Sequence, residues 1–457
     1  MKQKLMLLLF TAIITQAFFS KANAQYDKIY TEYEGMRKVT KNNKAGFINS
    51  AGTLVIPIEY DGANNFIEGV CAVQMNGKIG FIDKTNKLVI PFIFEGVSAG
   101  FRQGNCIVHG GKKSWMIDKT GRQSTARKYD KITFDGRFGM VWVDKKFGYL
   151  NLFGKEVIPP KYDYLQNIRE GLAGAKINGK FGFIDTLNQT KLPFIYDDVN
   201  PFSSGTSIVS RDKKFGLIDK KGNAIIPFQY EYLSSDSATG WLLAQKKDKM
   251  GAIDKKGNQM IPFNFGWIDG FDKVSIGYSR FSMFDKYDED VKKVGVINKK
   301  GNIVIPANYD LIKNASKDGY CVVVRKEVDE KYGMIEFSTG KLIIDTKYDG
   351  ILYPSEGICI AKKLFYDNSM GYYDDRWGYV NLNGKEITEI KYWSGTKKFS
   401  NGMAAVKMDY KWGFIDKTGK EVIKLQYDYA SDFEDGKAMV ELDGEEFYID
   451  KKGKKVK

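Results

Sequence analysis

The chain has 457 residues but only one histidine and four cysteines. His109 stands alone in Val108-His109-Gly110-Gly111, which reads as an exposed hairpin turn, so no Ser-His or Cys-His constellation can recur. There is no His-Glu-x-x-His helix, no Gly-x-Ser-x-Gly elbow and no phosphate-binding loop. EF-hand spacing is missing as well, which leaves calcium without a loop to hold it. These absences point away from an enzyme, a metal and a cofactor. After the first 24 residues no apolar run approaches the roughly 20 residues of a membrane span. Proline is scarce, and seven of the ten prolines fall at one recurring place: Pro57, Pro91, Pro159, Pro193, Pro227, Pro262 and Pro306.

What is present is a repeat. Its fullest form is Lys411-Trp412-Gly413-Phe414-Ile415-Asp416-Lys417-Thr418-Gly419-Lys420. Twelve copies are centred on Gly46, Gly80, Trp115, Gly148, Gly182, Gly216, Gly251, Gly295, Gly333, Gly378, Gly413 and Phe447, mostly 33 to 35 residues apart. A fixed period of this size signals units that bury their apolar faces only by stacking on neighbours.

Three short strands fit each unit. The first is of the type Gly69-Val70-Cys71-Ala72-Val73-Gln74, and a tight turn such as Asn76-Gly77, Asn178-Gly179 or Asp443-Gly444 follows. Such pairs allow the two positive φ angles of a type I′ turn. The second strand is Lys-x-Gly-Phe-Ile-Asp. The next turn, Asp-Lys-x-Gly, is closed by Gly or, at Asn86 and Asn188, by the residue that best tolerates left-handed backbone. The third strand runs to Val/Ile-Ile-Pro, where proline, lacking a donor, is expected to end it. Tyr-Asp comes next, its Tyr read as an aromatic staple between units whose hydroxyl reaches solvent or backbone. We expect an all-β tandem array of about twelve three-stranded hairpin repeats, an open superhelix or solenoid, with a β-propeller as the alternative.

The pattern resembles the bacterial WG-repeat family, whose repeat centres on Trp-Gly within Lys-Trp-Gly-Phe-Ile-Asp. Only Trp377-Gly378 and Trp412-Gly413 are literal; Phe147, Phe181, Phe215, Tyr332, Met250, Ile79, Val294 and Ala45 fill the Trp slot elsewhere. That slot therefore wants a packed side chain rather than an indole. Trp115 and Phe447 stand at the Gly position, so those two copies must be locally altered. The resemblance implies a repetitive β protein of the bacterial envelope or exterior and no particular reaction.

Residues 1–24 read as a secretory signal peptide: Lys2 and Lys4, an apolar run from Leu5 to Phe19, then Ala22-Asn23-Ala24. Cleavage after Ala24 would leave 25–457 as one continuous array in the periplasm or outside the cell, with no membrane span and no access to nucleic acid. Losing Lys2, Lys4 and Lys21 lowers the formal charge from +14 to +11. That excess suits either an anionic envelope polymer or the protection of strand edges. Cys71, Cys106, Cys321 and Cys359 share one slot, aligned with Ala173, Ala404 and Ala438. Bridges Cys71–Cys106 and Cys321–Cys359 are conceivable in an exported protein, but a small buried side chain is the reading preferred here.

The period breaks in three consecutive units, where enlarged loops fall near 277–291, 325–331 and 362–376, in the same hairpin turn of each. Insertions at equivalent places often build a binding face. Candidate ligand-binding residues are Tyr278, Arg280, Phe281, Phe284, Tyr287, Asp288 and Asp290 in the first, and Phe365, Tyr366, Tyr372, Tyr373, Asp374 and Asp375 in the third. Aromatic faces beside carboxylates resemble a sugar- or peptide-binding surface. The expected function is a secreted, non-catalytic binding scaffold for a cell-envelope glycan such as peptidoglycan, or for an envelope protein. The alternatives are a structural spacer and, less favoured, a hydrolase with a loop-borne carboxylate pair.

Overall fold

The computed structural model describes residues 26–456 except 284–292, 327–329 and 368–370. The proposed leader and the candidates Phe284, Tyr287, Asp288 and Asp290 lie outside the described residues. Two compact units divide the chain: one runs to Lys213 and includes Leu217–Ala224, and the other comprises Lys214–Gly216 and Ile225–Lys457. Among the described residues there is no helix, and twelve small sheets follow one another in chain order, one per copy. All are open antiparallel ladders, nine with four strands and three with three. The all-β tandem-repeat reading is the architecture observed.

A representative sheet consists of Gly62–Ala63, Val70–Met75, Lys78–Asp83 and Leu88–Phe94 in that order. The two-residue leading strand is an addition to the expected three; it follows the Tyr-Asp element and pairs Gly62 with Gln74 and Ala63 with Val73. The hairpin between the next two strands has the expected type I′ turn, with Asn76 at φ 51° and Gly77 at φ 74°.

The centre of ten of the twelve copies is glycine for a steric reason. The following strand slips register opposite it, in the first unit at Ile79/Phe81 and in the second at Trp412/Phe414. This β-bulge brings backbone close to the glycine. A Cβ on Gly46 would meet Ile56 O at 2.6 Å, one on Gly148 would meet Ile158 O at 2.5 Å, and one on Gly413 would meet Ile423 O at 2.6 Å. The last strand is reduced to isolated bridges in two copies: Ser114↔Tyr129 and Ile117↔Gln123 beside Trp115, and Trp377↔Tyr392 and Val380↔Glu386 beside Gly378.

The bulge also corrects the expectation for proline. Pro57 lies in the middle of Leu54–Tyr60 and Pro91 in the middle of Leu88–Phe94, so neither ends its strand. Each occupies the last strand of its sheet, where a missing N–H breaks no ladder. The strand continues to the Tyr of Tyr-Asp, which pairs with the Trp slot, as Tyr427 does with Trp412. That tyrosine is buried, and its hydroxyl reaches a side chain rather than solvent: Tyr60 donates to Asn86 Oδ1 at 2.7 Å and Tyr162 to Asn188 Oδ1 at 2.7 Å. A second aromatic staple joins successive copies, with Phe81 meeting Phe101 edge-on at 5.2 Å and Phe414 meeting Phe433 at 4.9 Å.

Candidate binding surface

Most recurring polar residues serve the framework, which narrows the search for a site. The aspartate of Asp-Lys-x-Gly closes its own turn: Asp83 Oδ1 accepts from Thr85 N at 2.9 Å and Lys87 N at 3.0 Å. The aspartate of Tyr-Asp clamps three segments. Asp61 accepts from Lys44 Nζ at 2.5 Å and from Asn76 N at 2.7 Å, and Asp428 likewise from Lys411 at 2.6 Å and Asp443 N at 2.9 Å. The lysine ammonium, then the backbone donor, hold both carboxyls below the ordinary value of 3.8.

A third set runs from copy to copy. Glu34 accepts from Glu68 N at 2.6 Å and Gly69 N at 3.0 Å and pairs with Lys84; Glu68 accepts from Gly104 N at 2.9 Å and pairs with Lys119. Glu170 with Lys220 and Glu356 with Lys417 repeat the pattern. Much of the lysine in the turns is thus paired internally.

Of the enlarged loops, the third is described best. Ile358–Asp367 and Tyr372–Asn381 are strands of ten residues each, where the regular hairpin has six, and they pair without a register shift from Ile358↔Asn381 to Asp367↔Tyr372. The leading strand of this sheet reaches only Lys362 and Ala361. Beyond Lys363 the two strands therefore form a two-stranded ribbon that extends past the sheet.

Register assigns the faces of this ribbon, because directly paired residues and their second neighbours share a side. One face carries Trp377, Leu364, Asp375, Tyr366 and Tyr373. Its tyrosine rings meet edge-on at 5.1 Å, and Trp377 Nε1 donates to Asp375 Oδ2 at 3.2 Å. The other carries Lys363, Arg376, Phe365 and Asp374; Lys363 pairs with Glu386 at 3.1 Å, and Arg376 pairs with Asp374. Leu364, Phe365, Tyr366 and Tyr373 are 42%, 47%, 54% and 66% exposed, which an ordinary sheet surface does not need.

The ribbon has neighbours that the sequence reading missed. The Arg376 guanidinium lies over the Trp393 ring at 5.6 Å, and Tyr410 meets Trp393 edge-on at 4.6 Å. Tyr410 has φ 63°, an outlying conformation for a bulky side chain, and is 75% exposed. The available signal was the bulky Tyr410 in Asp409-Tyr410, at a turn whose second residue is Gly in Asn76-Gly77, Asn178-Gly179 and Asp443-Gly444.

Three candidates of the first loop are framework instead. Phe281 pairs with Gly295 as Val73 does with Gly80, and it is fully buried, so it presents nothing to a ligand. Tyr278 packs edge-on against Phe337 at 4.8 Å. Arg280 donates to Ile312 O and to Asn314 Oδ1, both at 3.1 Å. The enlarged loop begins after this strand, and part of the added length precedes it: Gly277 follows Trp267 by ten positions, where Gly205 follows Asp198 by seven. The strands Tyr320–Lys326 and Glu330–Glu336 flank the second loop. The Tyr372 side chain lies outside what is described.

Cys71, Cys106 and Cys359 are free and buried, and burial pushes each thiol up to about 12. His109 lies on the strand Asn105–Gly110 rather than in a turn. Its Nε2 is 2.6 Å from Ser98 Oγ and its Nδ1 2.9 Å from Ser114 Oγ, so the three side chains join all three strands of that sheet. Burial lowers the histidine's pKa. No cluster of potential metal ligands occurs among the described residues.

No curated protein matches the chain. Among solved structures, a eukaryotic initiation factor aligns with TM-score 0.32 and 12% identity over 69% of this chain and 94% of its own. The extracellular domain of a one-component system from B. thetaiotaomicron aligns with TM-score 0.20 and 9% identity over 94% of this chain and 76% of its own. Scores this low carry no argument about either fold or function. The repeat itself is decisive: the WG containing repeat matches at 46–78, 79–108, 147–181, 181–215, 215–249, 250–287, 295–327, 338–363, 377–412 and 412–445, skipping the copy altered at Trp115. The chain belongs to the WG containing repeat family.

Proposed function

We propose that this protein is a non-catalytic binding scaffold of the cell envelope that grips a protein partner with the ribbon at 362–376. The exposed aromatic ribbon carries the reading. Tyrosine, tryptophan and arginine dominate protein-binding hot spots, and here Tyr366 and Tyr373 stand on a two-strand extension that the repeat does not require, with Arg376 and Trp377 at its base. Sugar sites are concave, whereas this ribbon extends beyond its sheet, which favours a protein over a glycan. The copy-to-copy staples and carboxylate clamps supply the rigid support such an anchor needs. Export by the leader at 1–24 places the partner in the periplasm or outside the cell.

The test is co-sedimentation and pull-down of residues 25–457 with outer-membrane and cell-wall fractions, before and after protease treatment of those fractions. The reading expects salt-resistant, protease-sensitive capture that Tyr366→Ala with Tyr373→Ala weakens about tenfold or more. Capture by protease-treated sacculi alone would point to a glycan, and capture indifferent to both substitutions would remove the ribbon from the account.

A further inference from the structure

The first compact unit carries a groove of about 570 Å³, lined among others by Tyr164, Gln166, Lys176, Phe181, Asp198 and Asn200. Its apolar wall is aromatic. Tyr164 is 45% exposed and sits edge-on to both Phe147 and Phe181, with ring centres 6.0 Å away in each case. These contacts hold the phenol in place as an exposed ring lining the groove.

The polar side has an unfilled demand. Gln166 Nε2 donates to Val199 O at 2.8 Å, which orients the amide, yet its Oε1 is buried and accepts no hydrogen bond from any described residue. A buried acceptor of this kind is destabilising unless a donor meets it. The chain has made room for it. Gly174 stands opposite Phe183, where equivalent positions of other copies hold Ala72, Met140 and Ala405. A Cβ on Gly174 would lie 2.4 Å from Gln166 Oε1 and 2.8 Å from Val199 Cγ2. Here the glycine is required by the glutamine and not by a turn.

Around this acceptor stand groups of both polarities. The exposed Asp198 carboxylate accepts from Val199 N at 2.9 Å, Asn200 is exposed, and the Lys176 ammonium lies over the Phe181 ring at 5.1 Å. Asp163 also lines the groove but is paired with Lys146, and the remaining cation and carboxylate, Lys176 and Asp198, offset one another, which disfavours a strongly charged ligand. What fits is a small neutral body with several hydroxyls, able to donate to Gln166 and Asp198 and accept from Asn200, and with a C–H face to lie on Tyr164. A pyranose ring has all of these.

We propose that this groove is a subsite for one neutral sugar residue of a glycan, with Tyr164 as the stacking platform and Gln166 Oε1 as the acceptor for a ring hydroxyl. The proposal does not rest on the ribbon's partner and would survive its failure.

The experiment titrates the full mature chain with cellohexaose, chitohexaose and maltohexaose, and with a decaproline peptide as the rival ligand, by saturation-transfer NMR and calorimetry. At least one hexasaccharide should bind. Tyr164→Ala should weaken it about tenfold or more, and Tyr164→Trp should retain it. Gly174→Ala should also weaken binding by displacing Gln166. Tyr429→Ala, at the equivalent exposed place of another copy, should leave it unchanged. A melting curve for each variant checks that it is folded. No binding of any hexasaccharide at millimolar concentration, binding of decaproline alone, or sugar binding indifferent to Tyr164→Ala would each overturn the proposal.

Discussion

The hairpin Val70–Asp83 and the ribbon Ile358–Asn381 begin alike and end differently. Both open with the same pairing around a central glycine, Val73↔Gly80 in one and Ala361↔Gly378 in the other. The first then turns after Met75 through Asn76-Gly77. The second continues, and the residues it adds are exposed aromatics and charges rather than core. The difference separates two jobs that one repeat can carry. Residues whose neighbours are backbone or the next copy hold the array together, and residues added past the register carry none of that load, which is why the proposed partner is assigned to them.

That division can be broken most forcefully at the central glycine. Gly413→Ala would drive a methyl into Ile423 O and Leu425 N, both backbone, and should destabilise its unit by about 3 kcal/mol in a denaturant melt. Gly77→Ala, at φ +74° with nothing within 4 Å, should cost only about 1 kcal/mol through its left-handed backbone. Equal costs would undo the steric account of the repeat's glycine. The staple comes next: Tyr60→Phe removes the bond to Asn86 and should cost about 1 kcal/mol. Smallest of all, Tyr373→Ala on the ribbon should shift the melt by no more than about 0.5 kcal/mol.

Acid offers a test of the clamps as a group. Asp61, Asp428 and Glu34 all sit below their ordinary values. The lysines hold the first two down; burial raises Glu34, but the donors of Gly69 and Glu68 with Lys84 outweigh it. A carboxyl depressed in the folded state stabilises above its unfolded pKa and loses that contribution as pH falls through the folded value. Stability should therefore be level near neutrality and decline below the ordinary values of 3.8 for Asp and 4.5 for Glu. Substituting Asp61 with Asn should flatten that decline, as urea melts across the acid range would show.

Much of this was legible in the chain because the repeat states each role many times. The period located all twelve sheets, and Asn-Gly and Asp-Lys-x-Gly named their turns. Other features were hidden for definite reasons. Proline's missing donor reads the same whether it ends a strand or sits at a bulge on an edge, so the sequence does not show that Pro57 and Pro91 lie mid-strand. An aromatic strand flanking an aromatic insertion leaves no change of composition at the boundary, so the sequence does not separate Tyr278, Arg280 and Phe281 from the loop. The partners of His109, and Trp393 with Tyr410 beside the ribbon, are joined by packing between strands or copies, which a linear pattern does not display.

The most direct test of the central claim replaces Leu364–Asp375 by an Asn-Gly turn and measures melting and partner capture on the same preparation. The account predicts an unchanged melt with capture abolished. A variant that unfolds, or one that still captures the partner at full strength, would contradict the separation of framework from recognition.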